Sequence, residues 1–324
     1  MIAVAGEALM DLLVDASGTV VAAPGGGPFN AARMVARLGG AARFIGRLSD
    51  DTLGHRLRAA LEEDRVEVVV ATPVGLPTTL AVAQLDDAGV PRYRFYLDGT
   101  SVPQLSLGEV SPSTVAGIDA MLVGGLGLVA EPMASTLLEA MSWVAPQVVV
   151  MLDPNCRPQA ITDPAGYRRR LTGYLARTDV VKLSVEDLWF IDPGAHPVDA
   201  ARRLLAQGPR AVLVTDGGSP VRMLARDVEL SADVPRIPVV DTVGAGDAFA
   251  AAFLVSWTAA SRTREDLADA GALRAATVAA VAVATATCQG RGAHPAGLFV
   301  ESVARSSASA IGAARQHRQP PDDE

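Results

Sequence analysis

Residues 241–249 read DTVGAGDAF, and they are the strongest indication of how this chain folds and acts. The residues that follow, up to Leu254, are small and apolar, as in a packed helix. Small residues let backbone N–H groups approach a ligand, and a helix start adds the positive end of its dipole; the residues concerned are Gly244, Ala245 and Gly246. Asp247 can accept a proton from an attacking hydroxyl. The pattern predicts an anion hole beside a general base, although a helix N-terminus merely capped by Asp247 also fits.

A second glycine-rich run, PGGGPFNAA at residues 24–32, favours the first interpretation. Apolar residues at 31, 34, 35 and 38 have helical spacing and predict a helix over Ala31–Leu38. Gly26 and Gly27 allow the backbone to approach a ligand closely, and Asn30 offers a donor and an acceptor to a sugar diol. Two alternatives stay open: a turn before a core helix, and a Rossmann dehydrogenase, although the run does not fit GxGxxG.

Together the two runs resemble the signature motifs of the ribokinase-like (PfkB) carbohydrate kinase family, in its fructokinase-like branch. They stand in the family's order, about 210 residues apart, and the resemblance covers roughly residues 2–300. It implies an α/β fold, with a central, mostly parallel sheet flanked by helices and a small β-sheet lid. It also implies one kinase domain over residues 1–305. The composition of residues 306–324 predicts a disordered tail.

The rest of the chain alternates strands with helices, which predicts repeated β–α units and a parallel sheet. The predicted strands are Ile2–Ala5, Ala42–Ile45, Met121–Val123, Val148–Leu152, Val180–Leu183 and Ala211–Thr215. The predicted helices between them are Asp51–Glu63, Pro132–Trp143, Ser184–Ile191 and Val198–Gln207.

Residues 76–98 depart from this alternation. Thr78–Asp86 and Arg92–Leu97 read as two strands of a hairpin. In the family such a hairpin joins a small sheet that covers the sugar, and residues 11–23 would supply its other strands. The lid excludes water from the reaction, and the resemblance implies a homodimer formed through it. A surface hairpin without a role in closure is the alternative.

Composition excludes several classes of protein. The 324 residues carry a net charge of −8 and no basic stripe, so we expect no nucleic-acid partner. The sequence contains no uninterrupted apolar run of about 18 residues, so we expect no membrane span. The Ala-rich residues 275–288 read as a packed helix. Two cysteines make no disulfide framework, and the short, acid-interrupted N-terminus reads as a strand, so we expect a cytoplasmic protein.

The resemblance also implies the residues that bind the sugar. Asp11, in GEALMDL at the end of the first strand, would grip sugar hydroxyls, and Gly26, Gly27 and Asn30 would form the sugar-contacting loop. Phe95 on the hairpin would cover the sugar, although aromatic residues there more often only pack. DPNCRP at residues 153–158 follows a buried strand, and Arg157 reads either as a contact to the transferring phosphoryl group or as a surface turn residue.

Two further segments resemble the ATP-binding part of the family. In KLSVED at residues 182–187, Lys182 and Ser184 would lie near the nucleotide, and Glu186 would organise Mg²⁺ through water. Ser184 with Asp187 three residues later also fits ordinary helix capping. Thr215 and Gly217 resemble a shifted ATP loop, completed by Gly244 and Gly246. Asp241 either caps its loop or helps hold a monovalent cation, K⁺, together with residues 288–294.

The resemblance therefore implies an ATP-dependent sugar kinase. Asp247 would act as base while the backbone at 244–246 holds the charge of the γ-phosphate. The segments GEALMDL, GGGPFNAA, FYLDGTS and DPNCRP favour fructose as the sugar. 2-Keto-3-deoxygluconate and ribose or a nucleoside are alternative substrates. A sugar- or nucleotide-binding regulator without turnover is the alternative of a different class.

Overall fold

A nine-stranded sheet forms the centre of the computed structural model, which describes residues 1–15, 17–70, 73–85 and 91–293. The strands lie in the order β13-β12-β11-β10-β9-β8-β1-β4-β5. They are β1 (Ile2–Ala5), β4 (Ala42–Ile45), β5 (Glu67–Val68), β8 (Ala120–Gly124), β9 (Val149–Asp153), β10 (Val180–Ser184), β11 (Ala211–Asp216), β12 (Ser219–Ala225) and β13 (Val228–Ala232). All neighbouring pairs from β5 to β11 are parallel. The predicted parallel sheet is confirmed.

Helices cover both faces of this sheet because successive strand residues point to opposite sides. Ile2 and Val4 of β1 pack into one core cluster, and Ala3 and Ala5 pack into the other. The first cluster is covered by α1 (Gly27–Arg37), α2 (Thr52–Glu63), α7 (Ala245–Ala259) and α8 (Ala270–Cys288). The second is covered by α3 (Met133–Ser142), α4 (Pro164–Leu175), α5 (Val185–Ile191) and α6 (Pro197–Leu205).

A separate four-stranded sheet matches the predicted lid. Its strands are β2 (Leu9–Val14), β3 (Val20–Gly25), β6 (Leu80–Leu85) and β7 (Pro91–Tyr96), in the order β3-β2-β6-β7. Leu9 and Ala81 pack against Leu126 and Ala160 of the main body, which fixes the lid above the edge of the large sheet. Most of the predicted hairpin turn lies outside the described residues, as do His294 and the tail at 306–324.

The structure corrects two details of the sequence-based interpretation. Asp11 lies within the lid strand β2 and not at the end of the first strand, because the chain turns at residues 6–8 before β2 begins. The edge strands β12 and β13 were not predicted; they run antiparallel and close the sheet beyond β11. Helix starts are closer to expectation: the side chain of Asp51 accepts the Gly54 N–H at 2.7 Å and caps α2.

The most apolar long helix is α8. Within the described residues it is the one helix that is long and apolar enough to span a membrane by length and composition alone. Half of its most apolar window is buried inside the fold, and residues such as Leu273, Ala276 and Ala280 belong to the core. The Ala-rich stretch therefore packs as a core helix, as its sequence predicts.

Candidate active site

The N-terminus of α7 lies at the edge of the large sheet where the parallel strands end. Gly244 precedes the helix with a φ of 78°, a left-handed conformation, and an added Cβ would overlap Ala293. The N–H of Ala245 donates to the Thr242 carbonyl at 3.2 Å, so that predicted member of the anion hole is already engaged. Among the described residues, the N–H groups of Gly244 and Gly246 have no such partner. They are the donors that an incoming anion can use.

Asp247 and Asn30 meet here although 217 positions separate them. The Asn30 side-chain amide donates to Oδ2 of Asp247 at 2.9 Å. Burial raises the pKa of Asp247 to about 6, and nearby Asp153 acts in the same direction, while the Asn30 hydrogen bond, Lys182 and Arg157 oppose the rise. Asp247 is therefore ionised at neutral pH yet basic enough to accept a proton.

The two glycine-rich runs and the lid enclose a cavity of about 350 Å³. Its lining includes all six residues predicted for the sugar, together with three residues of the DTVGAGDAF run: Asp11, Gly26, Gly27, Asn30, Phe95 and Arg157, with Gly244, Gly246 and Asp247. An added Cβ at Gly27 would come within 2.9 Å of the Asn155 side-chain nitrogen and 3.2 Å of Asp247 Oδ1. Only glycine leaves this space free, which explains the close approach that the motif predicts.

The described lining of the cavity combines three carboxyl groups with one guanidinium, that of Arg157. Burial raises the pKa of Asp11 to about 6, and Arg157 opposes the rise. The Arg157 guanidinium donates hydrogen bonds to the carbonyl oxygens of Asn155 (3.1 Å) and Cys156 (3.2 Å). Its hydrogen bonds go to carbonyl oxygens, while its charge acts on the carboxyl groups of the cavity and can also attract an anion there.

The cavity residues that sequence reasoning missed include Glu7, Tyr93 and Asn155. Tyr93 lies two positions from Phe95 on β7, and alternation along a strand was the signal that could have found it. Asn155 follows β9 with a positive φ of 41°, within the DPNCRP segment already noted. Glu7 follows β1 at the same edge of the sheet and is buried, with 4% of its surface exposed.

A second, more apolar cavity of about 570 Å³ lies on the other side of the α7 N-terminus. Thr215 and Gly217, predicted for ATP, line it, and so do Val221, Phe249 and Val281. Thr242 and Gly246 line both cavities, so the start of α7 stands between them. The arrangement offers an apolar site and a polar site that meet at one anion-binding helix end.

The KLSVED segment lies close by, but its side chains do not line these cavities. The Lys182 ammonium is buried and forms an ion pair with Asp153 Oδ2 at 2.8 Å. An added Cβ at Gly246 would come within 2.9 Å of that ammonium, so Lys182 lies beneath the anion hole. Ser184 caps α5 in a reciprocal capping box with Asp187, as the capping alternative predicts.

The carboxylates proposed for cations differ in their surroundings. Glu186 is exposed in the first turn of α5. Asp241 accepts the N–H groups of Val243 (3.0 Å) and Gly292 (2.8 Å), so its carboxylate ties the 241–243 loop to the segment after α8. In the described part of the chain no three His, Cys, Asp or Glu side chains cluster as metal ligands. A single exposed carboxylate suits Mg²⁺, which keeps most of its waters and phosphate ligands.

Comparison with known proteins identifies the family. The pfkB family of carbohydrate kinases matches residues 1–295, which is nearly the whole described fold. The chain belongs to the PfkB family. It is an enzyme, a sugar kinase, and its main sheet, helices and separate small sheet are the ribokinase-like fold that its motifs predict.

Relatives of this PfkB kinase carry one recurrent name. Fructokinase from Klebsiella pneumoniae is 35% identical over 259 residues, which cover 79% of this chain and 84% of that protein. Fructokinase from Rhizobium leguminosarum bv. trifolii is 33% identical, with 79% of each chain covered. The solved structure of Xylella fastidiosa fructokinase with bound ATP has a TM-score of 0.83 at 25% identity, covering 95% of this chain and 98% of that chain.

Proposed function

We propose that this kinase transfers the γ-phosphoryl group of ATP to a primary hydroxyl of fructose. The observation that carries the proposal is the position of Asp247 in the wall of the polar cavity, at the helix end that also lines the apolar cavity. A sugar in the first cavity and a nucleotide in the second would bring hydroxyl and phosphate together at this carboxylate. General-base catalysis and anion stabilisation would then act on the same atoms.

The proposed step is an in-line displacement. The sugar hydroxyl oxygen forms a bond to the γ-phosphorus while the bond from that phosphorus to the bridging oxygen of ADP breaks. The hydroxyl proton passes to the carboxylate of Asp247, which Asn30 orients. The N–H groups of Gly244 and Gly246 receive the negative charge on the phosphoryl oxygens, and Arg157 adds a guanidinium from the opposite segment.

We assign the apolar cavity to ATP because Thr215 and Gly217 line it and a fructokinase relative of the same fold was solved with ATP. Mg²⁺ would be held by Glu186 through water and by the phosphates, and would neutralise phosphate charge. Lys182 and Ser184 would support the ATP site without contacting the nucleotide, since neither lines the apolar cavity. A K⁺ ion near Asp241 would use carbonyl oxygens of the tied loops, because both oxygens of that carboxylate already accept N–H groups.

Fructose is preferred because the curated relatives at 33–35% identity are named fructokinases. The polar lining suits a polyhydroxylated ligand: Asp11 and Asn30 offer hydrogen bonds to hydroxyls, and Phe95 offers an apolar face. 2-Keto-3-deoxygluconate and ribose or a nucleoside remain the competing substrates.

The proposal is tested by ADP release from ATP–Mg²⁺ against fructose, ribose, 2-keto-3-deoxygluconate and adenosine. We expect the highest kcat/KM on fructose and collapse of that turnover in Asp247→Asn. Higher kcat/KM on another member of the panel would reassign the substrate. ATP binding without turnover on any sugar would favour a non-catalytic, ligand-binding role.

The lid offers a surface for a second copy of the chain. Leu13 and Val21 are directly opposed across β2 and β3, and they are 44% and 59% exposed. Tyr93, 40% exposed, lies in the same cross-strand row. We propose a homodimer in which these rows pack together.

The free cysteines Cys156 and Cys288 fit the reducing cytoplasm, where we place the enzyme.

A further inference from the structure

Glu7 is a buried carboxyl group that the proposed chemistry does not use. It follows β1 at the edge of the sheet, and only 4% of its surface is exposed. Oε1 accepts the N–H of Gly27 at 3.1 Å, and Oε2 accepts the N–H of Gly127 at 3.4 Å. Both oxygens therefore serve as acceptors for backbone donors.

The two donors belong to segments that are distant in sequence but line the same cavity. Gly27 is the first residue of α1 and lies in the sugar loop. Gly127 belongs to the short helix Gly125–Leu128 after β8, whose Leu126 also lines the cavity and packs against the lid. An added Cβ at Gly125 would overlap the Glu7 carboxyl group. The carboxyl group thus fills the space between the loop and this short helix.

We propose that Glu7 is a positioning residue that holds the glycine loop at the sugar cavity, so that sugar affinity depends on its two acceptor oxygens. The inference rests on the proposed assignment of this cavity to the sugar. Gly26, Gly27 and Leu126 all line the cavity, so a shift of the glycine loop relative to the short helix would change the shape of the cavity. Loss of one of the two bonds frees the loop, which weakens binding of the sugar more than it slows transfer from ATP.

Protonation of Glu7 would act on the same bonds. Burial raises the pKa of Glu7 to about 7, and the backbone hydrogen bonds and Arg157 lower it, while Asp247 raises it further. These two side chains are the charged groups that face it. A protonated carboxyl has an O–H where one of the acceptors stood, so one N–H is left unsatisfied. The KM for fructose should therefore rise as pH falls through about 7.

The test is Glu7→Gln, which keeps the size of the side chain but leaves a single acceptor oxygen. One backbone N–H then faces an NH₂ group, and we expect the KM for fructose to rise about tenfold to a hundredfold. We expect kcat to change much less, and the KM to lose its step near pH 7, while the change caused by Asp11, whose pKa is about 6, remains. Asp11→Asn is the matched control, because it removes another carboxyl of this cavity yet should keep the step near pH 7.

Three results would overturn the inference: an unchanged fructose KM in Glu7→Gln, a fall in kcat alone, or a wild-type KM that is constant between about pH 6 and about pH 8. If Glu7→Gln fails to fold, the pH profile of Asp11→Asn decides the matter, because the absence of a KM step near pH 7 in that protein would overturn the inference. Failure of the proposed function looks different, since wild-type protein would then give no fructose-dependent ADP. Fructose titration by calorimetry with a non-hydrolysable ATP analogue checks the affinity directly.

Discussion

Replacing Asp247 by Asn should slow turnover strongly and stabilise the fold at the same time. The amide has nearly the shape of the carboxylate, and its oxygen still accepts the 2.9 Å hydrogen bond from Asn30. It cannot accept the proton of the sugar hydroxyl, so we expect kcat to fall by about 10²–10⁴-fold. It also removes a negative charge from a partly buried position, which is the origin of the stabilisation.

The magnitude follows from the pKa of the carboxyl group. Burial raises it from an ordinary 3.8 to about 6, so the folded state binds the proton more tightly than the unfolded chain. Each pKa unit corresponds to about 1.4 kcal/mol, so the fully ionised carboxylate lowers the free energy of unfolding by about 3 kcal/mol. Because the side chain keeps some contact with solvent in the open cavity, we expect about 2 kcal/mol at pH 8. The protonated form of Asp247 contributes stability that the wild-type protein loses as pH rises through about 6. The stabilisation caused by Asp247→Asn should therefore be about half as large at pH 5 as at pH 8.

Urea unfolding of both proteins at pH 5 and pH 8 measures this difference, and ADP release measures turnover. Asp227→Asn, an exposed carboxylate away from both cavities, is the matched control and should change neither quantity. An Asp247→Asn protein that is less stable than wild type at pH 8 would refute the reasoning. Equal stabilisation at both pH values would show that the buried charge is not its cause.

Three further substitutions test other parts of the structure. Gly244→Ala places a side chain in a left-handed conformation against Ala293, which costs about 1–2 kcal/mol of strain. We expect kcat in steady-state assays to fall at least tenfold. An unchanged kcat would contradict the role of this turn. Lys182→Met leaves the Asp153 carboxylate buried without its cation and should lower the free energy of unfolding by about 3–5 kcal/mol in urea titrations, whereas wild-type stability would show that the pair is dispensable. Val21→Asp places a charge in the apolar row of the lid and should halve the molar mass seen by light scattering, and a persistent dimer would exclude this surface.

The architecture could be predicted because its signals are local. Strands such as β1 and β4 were located to the residue, since short apolar runs between helical segments define them. Asn30 and Asp247 were each assigned to the site from the resemblance to a family, whereas the hydrogen bond between them was not predicted. The antiparallel pair β12 and β13 was missed, since its exposed residues dilute the apolar pattern.

What could not be predicted depends on partners that are remote in sequence. The interpretation of Lys182 as a nucleotide contact did not foresee Asp153, which lies 29 positions away and pairs with it inside the fold. Glu7 lies in the GEALMDL segment, which was interpreted only for Asp11, and its own importance appears only when Gly27 and Gly127 are seen to donate to its two oxygens. A single sequence records which side chains are polar but not which of them are buried against one another.

Phosphorus NMR of a reaction containing ATP–Mg²⁺ and fructose tests the central claim most directly. We expect one new phosphate monoester on a primary hydroxyl of fructose, growing in equal amount with ADP for the wild-type enzyme and at least about a hundredfold more slowly for Asp247→Asn. ADP accompanied by inorganic phosphate, or the same ester formed at the same rate by both proteins, would contradict the assignment of Asp247 as the base of a fructose kinase.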